Sequence, residues 1–420
     1  MIAKIKNILF LVFGAIFGLG ANFLIQFYLA RELTVNDFGI YTSIINVLNL
    51  CAPLVGFGVC GYLLKIYSTY DIRGRYWIKP IIKFLLISIV FLFIAIQTHF
   101  YINGVLSIVV GGCYILYMLS VSLNPFTRLK YQVEENFRQY SIWQILPNFI
   151  RLLFLIFVGF VFGLTIDNIG ISYGLSSLFV LWFAIKSIRS MLNGELNIKT
   201  INSDQDLSIP KVNIKDIIKN SYPYGLSGFF FLVYYQSDIF ILTYYLDFEQ
   251  VGNYGFAFMI VSAICILPSL YYQSLCLPKL HKYAAFDLIQ LKIFYNINFK
   301  INVVLGLFIS LLYYLLIDRF VEYFFGKKYE GALEVIKILS VYIWLKFISL
   351  NSDAIMNTGN LINIKLKIMC FAAIFNVIFN LIFIPSIGIL AAVYSTILTE
   401  LILIASFHLT LRKYFNKKVF

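Results

Sequence analysis

Apolar residues run along this chain in long blocks separated by short polar gaps, and the blocks have the length that crosses a membrane. A spanning helix needs about 20 predominantly apolar residues. About twelve such blocks stand out, over 8–30, 38–65, 78–97, 105–123, 142–163, 169–187, 224–246, 251–277, 301–317, 333–352, 366–384 and 388–411. The polar gaps alternate in charge. Lys65, Arg73, Arg75, Lys79 and Lys83 crowd one gap, whereas the next, 97–103, carries His99 but neither Lys nor Arg. Basic residues recur at the N-terminus, after every second block, and at the C-terminus in Arg412, Lys413, Lys417 and Lys418. Such alternation is the orientation signal of a multi-pass inner-membrane protein, and it predicts both termini on the cytoplasmic side. The opposite gaps hold little: Asp167 in one, Asp247 and Glu249 in another, and a mixed stretch over 318–334 where acids offset Arg319, Lys327 and Lys328.

Composition agrees with this pattern and narrows the class. Of 420 residues, 61% are hydrophobic and only 13% charged, which is too little polar surface to cover a soluble globule. The net charge of +13 raises nucleic acid as a partner. The basic residues are spread over loops on one predicted side rather than gathered into a patch, so positive-inside topology and contact with anionic lipid heads account for them. All six cysteines fall within the apolar blocks without CxxC spacing, so neither a disulfide framework nor a zinc site is implied. Apolar sequence continues past Gly18, Gly20 and Ala21 to Ala30, so the first block is expected as an uncleaved helix rather than a signal peptide.

The longest hydrophilic stretch, from Arg189 to Asn220, reads as a cytoplasmic linker between two halves. The expected organisation is an N-terminal six-helix bundle over 1–190, a linker over 191–220 and a C-terminal six-helix bundle over 221–420. A faint repeat supports the division: Phe38-Gly39-Ile40-Tyr41 enters the second block and Val251-Gly252-Asn253-Tyr254 the eighth. Six spans per half makes the repeat parallel, a plan common among transporters. The predicted fold is therefore an all-α integral membrane protein of about twelve transmembrane helices in two six-helix bundles.

A charge near the bilayer centre costs about 2.5–3.5 kcal/mol on insertion scales, so each one within a block needs a cavity or a partner. Arg151 follows Gln144 and Asn148 on one helical face, and Pro147 lies beside them. Arg offers a planar fork of donors suited to phosphate, while its alternative role is snorkelling to the interface. Gly14, Gly18, Asn22 and Gln26 recur every four residues; close packing suits the glycines, and cavity lining and interhelical hydrogen bonding are both open for Asn22 and Gln26. Asp238, on a face with Tyr234, can exchange a proton, bind Na⁺ as an oxygen ligand, or pair with a Lys or Arg of another span. Lys346 leads the series Ser349, Asp353, Asn357 and can meet an anionic ligand or pair with Asp353. Glu400, one turn after Thr396, is a second proton or partner candidate, and Asn376 and Asn380 one turn apart suit amide packing. Pro53, Pro147 and Pro268 are expected to kink their helices.

No GxxxxGK[ST] or HExxH occurs, and His99, His281 and His408 are scattered, which argues against P-loop hydrolysis and zinc chemistry.

Several segments together resemble the polysaccharide-transporter flippases of the O-antigen type, within the exporter superfamily that also holds multidrug extruders and lipid II flippases. They are Ala30-Arg31 with Asp37-Phe38-Gly39-Ile40-Tyr41, then Phe57-Gly58, Pro223-Tyr224-Gly225, Asp238, Val251-Gly252-Asn253-Tyr254, the stretch Phe325-Gly326-Lys327-Lys328-Tyr329-Glu330-Gly331-Ala332, and Asn376 and Asn380 before Ile384-Pro385. The resemblance implies a non-enzymatic flippase in the bacterial inner membrane that moves an undecaprenyl-diphosphate-linked oligosaccharide outward by cation-coupled alternating access. It also implies a cationic cavity, for which Arg151 and Lys346 are candidates with Asn22, Gln26, Gln144, Asn148 and Tyr234 as further lining. Asp238 and Glu400 are the ion-coupling candidates, with Na⁺ or H⁺ as the ion and no other cofactor. Expected partners are the lipid-linked oligosaccharide, membrane lipids, and a polysaccharide polymerase and chain-length regulator, but not nucleic acid. The rival readings are a multidrug exporter of the same superfamily, which would favour an acidic cavity, a membrane-embedded glycosyltransferase or polymerase, which would need a larger exterior loop, and a non-transporting scaffold or lipid scramblase, which would not depend on the intramembrane charges.

Overall fold

The computed structural model describes residues 2–102, 106–197, 213–359 and 361–419, and all regular structure among them is helical. Each apolar block of the sequence lies largely on helical residues among those described, and nine helical stretches among the described residues are long and apolar enough to cross a membrane. The chain divides into two compact units, Met1–Ile25 with Val47–Phe229, and Gln26–Asn46 with Phe230–Phe420. The divide runs through α1 (Ile2–Glu32), α2 (Val35–Gly56) and α8 (Ile214–Tyr245). The stretch expected as a linker is helical at both ends, since α7 (Ile166–Asn193) and α8 extend into it; 198–212 lie outside the described residues.

The first unit also contains α3 (Val59–Tyr70), α4 (Ile78–Ile102), α5 (Ile108–Val133) and α6 (Phe137–Phe162). Block 38–65, expected as one helix, is two: Phe57 and Gly58 adopt φ of 34° and 79°, and that left-handed pair ends α2 and starts α3. Short polar side chains start the later helices by accepting orphan backbone N–H groups, Ser107 from Val110, Asn136 from Gln139 and Thr165 from Asn168. Helices α5 and α7 lie along each other, and Tyr114, Tyr117 and Tyr173 fill the space with almost no exposure. Gly18 of α1 packs on the backbone of α6 at Gln144, and the amide of Asn148 donates to the Gly18 carbonyl at 2.8 Å.

The second unit continues with α9 (Phe248–Leu270), α10 (Leu277–Phe286), α11 (Leu288–Phe325), α12 (Leu333–Ile338), α13 (Ser340–Met356), α14 (Leu361–Ile387) and α15 (Ile389–Val419). Asp247 caps α9, and the bond from the Gln250 backbone N–H holds its carboxyl below the usual aspartate range. Pro268 precedes a π-helical turn, Tyr271–Cys276, that separates α9 from α10. The end of α1 is held by residues after α11: the Lys328 ammonium donates to the carbonyls of Ala30 at 2.7 Å and Arg31 at 3.0 Å, and the buried Tyr329 hydroxyl donates to Ala30 at 2.9 Å. These bonds satisfy carbonyls that a helix C-terminus leaves without partners.

The glycines of the faint repeat meet where α2 crosses α9. A Cβ on Gly39 would strike the Phe248 carbonyl and the Gly252 nitrogen, and one on Gly252 would strike Val35 and Gly39 in turn. Backbones that close admit no side chain. Replacing either glycine by Leu is expected to lower the unfolding midpoint of the purified protein, by the equivalent of about 1–3 kcal/mol or more. Gly20→Ala, with no atom within 4 Å of the added carbon, should leave it unchanged. Equal midpoints for all three variants in a detergent thermal scan would contradict the close crossing.

Candidate functional site

Within the second unit, four helices converge on one buried carboxylate. Asp238 of α8 is 1% exposed. Its Oδ2 accepts from the Tyr254 hydroxyl of α9 at 2.8 Å and from Thr396 of α15 at 2.6 Å, and its Oδ1 accepts from the Asn380 amide of α14 at 2.6 Å. Behind this shell, Asn376 accepts from Ser237 at 2.6 Å and donates to Ser395 at 2.9 Å, tying α8, α14 and α15 together. All of these donors are neutral, and no Lys or Arg among the described residues forms an ion pair with Asp238. The Asn380 carbonyl oxygen, fully buried, has no hydrogen-bond partner. The cluster therefore offers a carboxyl group and a spare oxygen away from the surface, a donor set suited to a hard monovalent cation or to a proton.

One helical turn further along α15, Glu400 takes a different partner. The Lys346 ammonium of α13 lies 3.3 and 3.4 Å from its two oxygens, and Ser349 donates to Oε1. The alternative pairing of Lys346 with Asp353 is not made; Asp353 binds Lys365 of α14 at 2.6 Å, which also donates to Asn357. Residues 346 and 353 are two turns apart on one straight helix, too far for their side chains to meet, whereas α14 passes directly beside Asp353. Glu400 and Thr396 share a small cavity with Tyr234, Tyr235, Phe258 and Tyr342.

The first unit holds the complementary charge. Arg151 of α6 is 4% exposed, so it does not snorkel; its guanidinium lies 4.4 Å from the ring centre of Tyr117 and 5.0 Å from that of Tyr173. It donates to Asn148 at 3.1 Å, while its Nε has no partner and no carboxylate among the described residues pairs with it. Aromatic faces stabilise the cation without neutralising it.

Residues 5–283 match the family model described as polysaccharide biosynthesis protein. The chain belongs to that family. No curated protein sequence matches it. Among solved structures it is similar to the lipid II flippase MurJ in an inward closed conformation, with a TM-score of 0.69 and 13% identity over 97% of this chain and 87% of that one. It is also similar to an inward-facing multidrug resistance transporter of the MATE family of the MOP superfamily, with a TM-score of 0.67 and 14% identity over 95% of each chain. At those identities the likeness establishes the fold. This member of the polysaccharide biosynthesis family is a multi-pass membrane protein with the fold that those two structures share.

Several residues of the family member that were singled out from sequence fall together. Asn148 and Arg151 bond to each other, Gln144 packs its amide against Gly14, and Tyr234 and Glu400 line one cavity. Asn22 and Gln26 are half-buried. Tyr254, Thr396, Asn376 and Asn380 form the shell of Asp238, and Tyr117 and Tyr173 hold Arg151; none of the six stood out as site residues. The one-turn spacing of Asn376 and Asn380 was the available signal, but it does not say which carboxylate they face.

Removing one member of a buried ion pair costs about 3–5 kcal/mol, whereas replacing both by apolar groups is often neutral. Lys346→Met, which strands Glu400, is expected to lower stability by about that amount, and adding Glu400→Leu should restore most of it. A double variant as unstable as the single one, in equilibrium unfolding of the solubilised protein, would show that the pair is not isolated from further charge.

Proposed function

We propose that this protein is a flippase that carries a polyprenyl-diphosphate-linked oligosaccharide from the cytoplasmic to the outer face of a bacterial inner membrane, driven by a cation. One observation carries the reading: each unit buries an ionisable side chain that has no ion-pair partner among the described residues, Arg151 in the first and Asp238 in the second. Leaving such groups in an apolar interior is costly, so each is matched to a charge that comes and goes. The Arg151 fork suits a diphosphate, which accepts paired hydrogen bonds. The Tyr254 and Thr396 hydroxyl oxygens at Asp238, with the free Asn380 oxygen, suit Na⁺ as the coupling ion. Family membership and the resemblance to a lipid II flippase support a lipid-linked sugar as cargo. An exporter of cationic drugs is disfavoured by a bare guanidinium in the interior. The charge alternation of the loops supports cytoplasmic termini.

Bond-making is not required of the protein. Arg151 would bind and orient the diphosphate while Asn148, fixed to the Gly18 carbonyl, holds the guanidinium in place. Cation binding at Asp238 would draw α8, α14 and α15 together and favour one of two alternating states.

The test is made in cells producing a labelled surface polysaccharide. Deletion of the gene is expected to trap lipid-linked repeat units on the cytoplasmic face, with wild type restoring export and Arg151→Gln or Asp238→Asn restoring less than about a tenth of it. Repeat units that still reach the exterior in the deletion strain, or full restoration by Arg151→Gln, would sink the proposal.

A further inference from the structure

Two lysines of the second unit, Lys365 buried and Lys346 mostly buried, are paired in different ways. Lys365 is held tightly, 2.6 Å from Asp353 and 2.8 Å from Asn357, as a structural ion pair should be. Lys346 is held loosely: both contacts to Glu400 exceed 3.2 Å, beyond the roughly 2.7–2.9 Å of a good charge-assisted bond. Those two contacts are the only hydrogen bonds its ammonium donates among the described residues, although an ammonium carries three donors. Glu400 meanwhile is anchored elsewhere, by Ser349, and lines the small cavity with Tyr234, Tyr235 and Tyr342. The arrangement keeps the pair neutral but leaves the ammonium able to change partners.

We propose that Glu400 is an internal counter-ion for Lys346, filling in the unloaded protein the place that a phosphate oxygen of the cargo takes in the loaded one. The inference rests on the flippase reading, with its diphosphate cargo, and adds Lys346 as an anion-binding group whose availability Glu400 limits. A carrier that returns empty must not expose a bare cation to a dry interior; a carboxylate on the neighbouring helix removes that cost. The same carboxylate competes with the cargo, weakening binding and so speeding release. Tyr342, whose ring centre is 6.0 Å from the ammonium, gives Lys346 a face to rest against in both states. Arg151, by contrast, has no carboxylate paired with it among the described residues, so the two cations differ in kind.

Competition makes a prediction that a purely structural ion pair does not. Binding of farnesyl diphosphate to the full-length protein in nanodiscs is measured by calorimetry. Glu400→Gln, which keeps the shape and the Ser349 bond, is expected to tighten binding roughly tenfold, within the ~5–150-fold range of coupled sites. Reconstituted transport by the same variant should slow. Lys346→Met with Glu400→Gln should lose the gain and bind no tighter than wild type. Where Glu400→Gln fails to fold, Glu400→Asp, which draws the carboxylate back by one methylene, should give a smaller tightening. Unchanged or weaker binding in the Glu400 variants overturns the proposal; if Arg151→Gln still weakens binding in that case, the flippase reading survives it. No diphosphate binding by the wild type or any variant overturns both.

Discussion

A charge in an apolar interior must be neutralised, and much of this molecule is arranged around that requirement. Asp238 is the sharpest case. Three helices supply neutral donors to it, and those bonds offset part of its lost hydration without adding a counter-charge. The same bonds link α8, α9, α14 and α15, so any change in the charge at Asp238 is felt along all four. Arg151 presents the mirror situation in the first unit, where tyrosine rings and one amide replace water around a guanidinium. Lys346 and Glu400 solve the problem internally, and Lys365 with Asp353 does so more tightly still.

The lipid-facing remainder has a simpler logic. Long helices satisfy their own backbone groups, which is why a chain this apolar can be helical almost throughout. Where helices must approach closely, glycine removes the side chain, as at Gly39 and Gly252. Where a helix ends, a side chain from elsewhere completes its carbonyls, as Lys328 and Tyr329 do for α1. These devices hold the elements at fixed spacing, and only with that spacing fixed can Thr396 and Asn380 reach the same carboxylate.

The positions of the helices were legible in the sequence because a run of apolar residues is a local signal. Its limits were local as well. Residues 288–300 escaped the apolar block at 301–317, although α11 begins at Leu288, because Lys292, Asn296, Asn298 and Lys300 interrupt the run. The break at Phe57 and Gly58 was hidden because neither residue is a helix stop unless its backbone turns left-handed. Intramembrane charges could be picked out one by one, since each is conspicuous in an apolar block. Their partners could not. Asp238 meets Asn380 and Thr396 across 142 and 158 residues, and Lys346 meets Glu400 across 54, distances over which spacing carries no information. Asp353 was one of two partners open to Lys346 because both lie in one helical series; packing brought Glu400 to Lys346 and Lys365 to Asp353 instead.

The central claim is that one buried, unpaired charge holds an anionic lipid-linked cargo and the other the cation that drives it. Its most direct test is transbilayer movement in vesicles containing only the purified protein and a fluorescent polyprenyl-diphosphate oligosaccharide, followed by quenching with a membrane-impermeant reductant. The account predicts rapid movement under an imposed Na⁺ gradient, loss of the gradient dependence in Asp238→Asn, and loss of movement in Arg151→Gln. Movement at the same rate without any gradient, and in both variants, would contradict it.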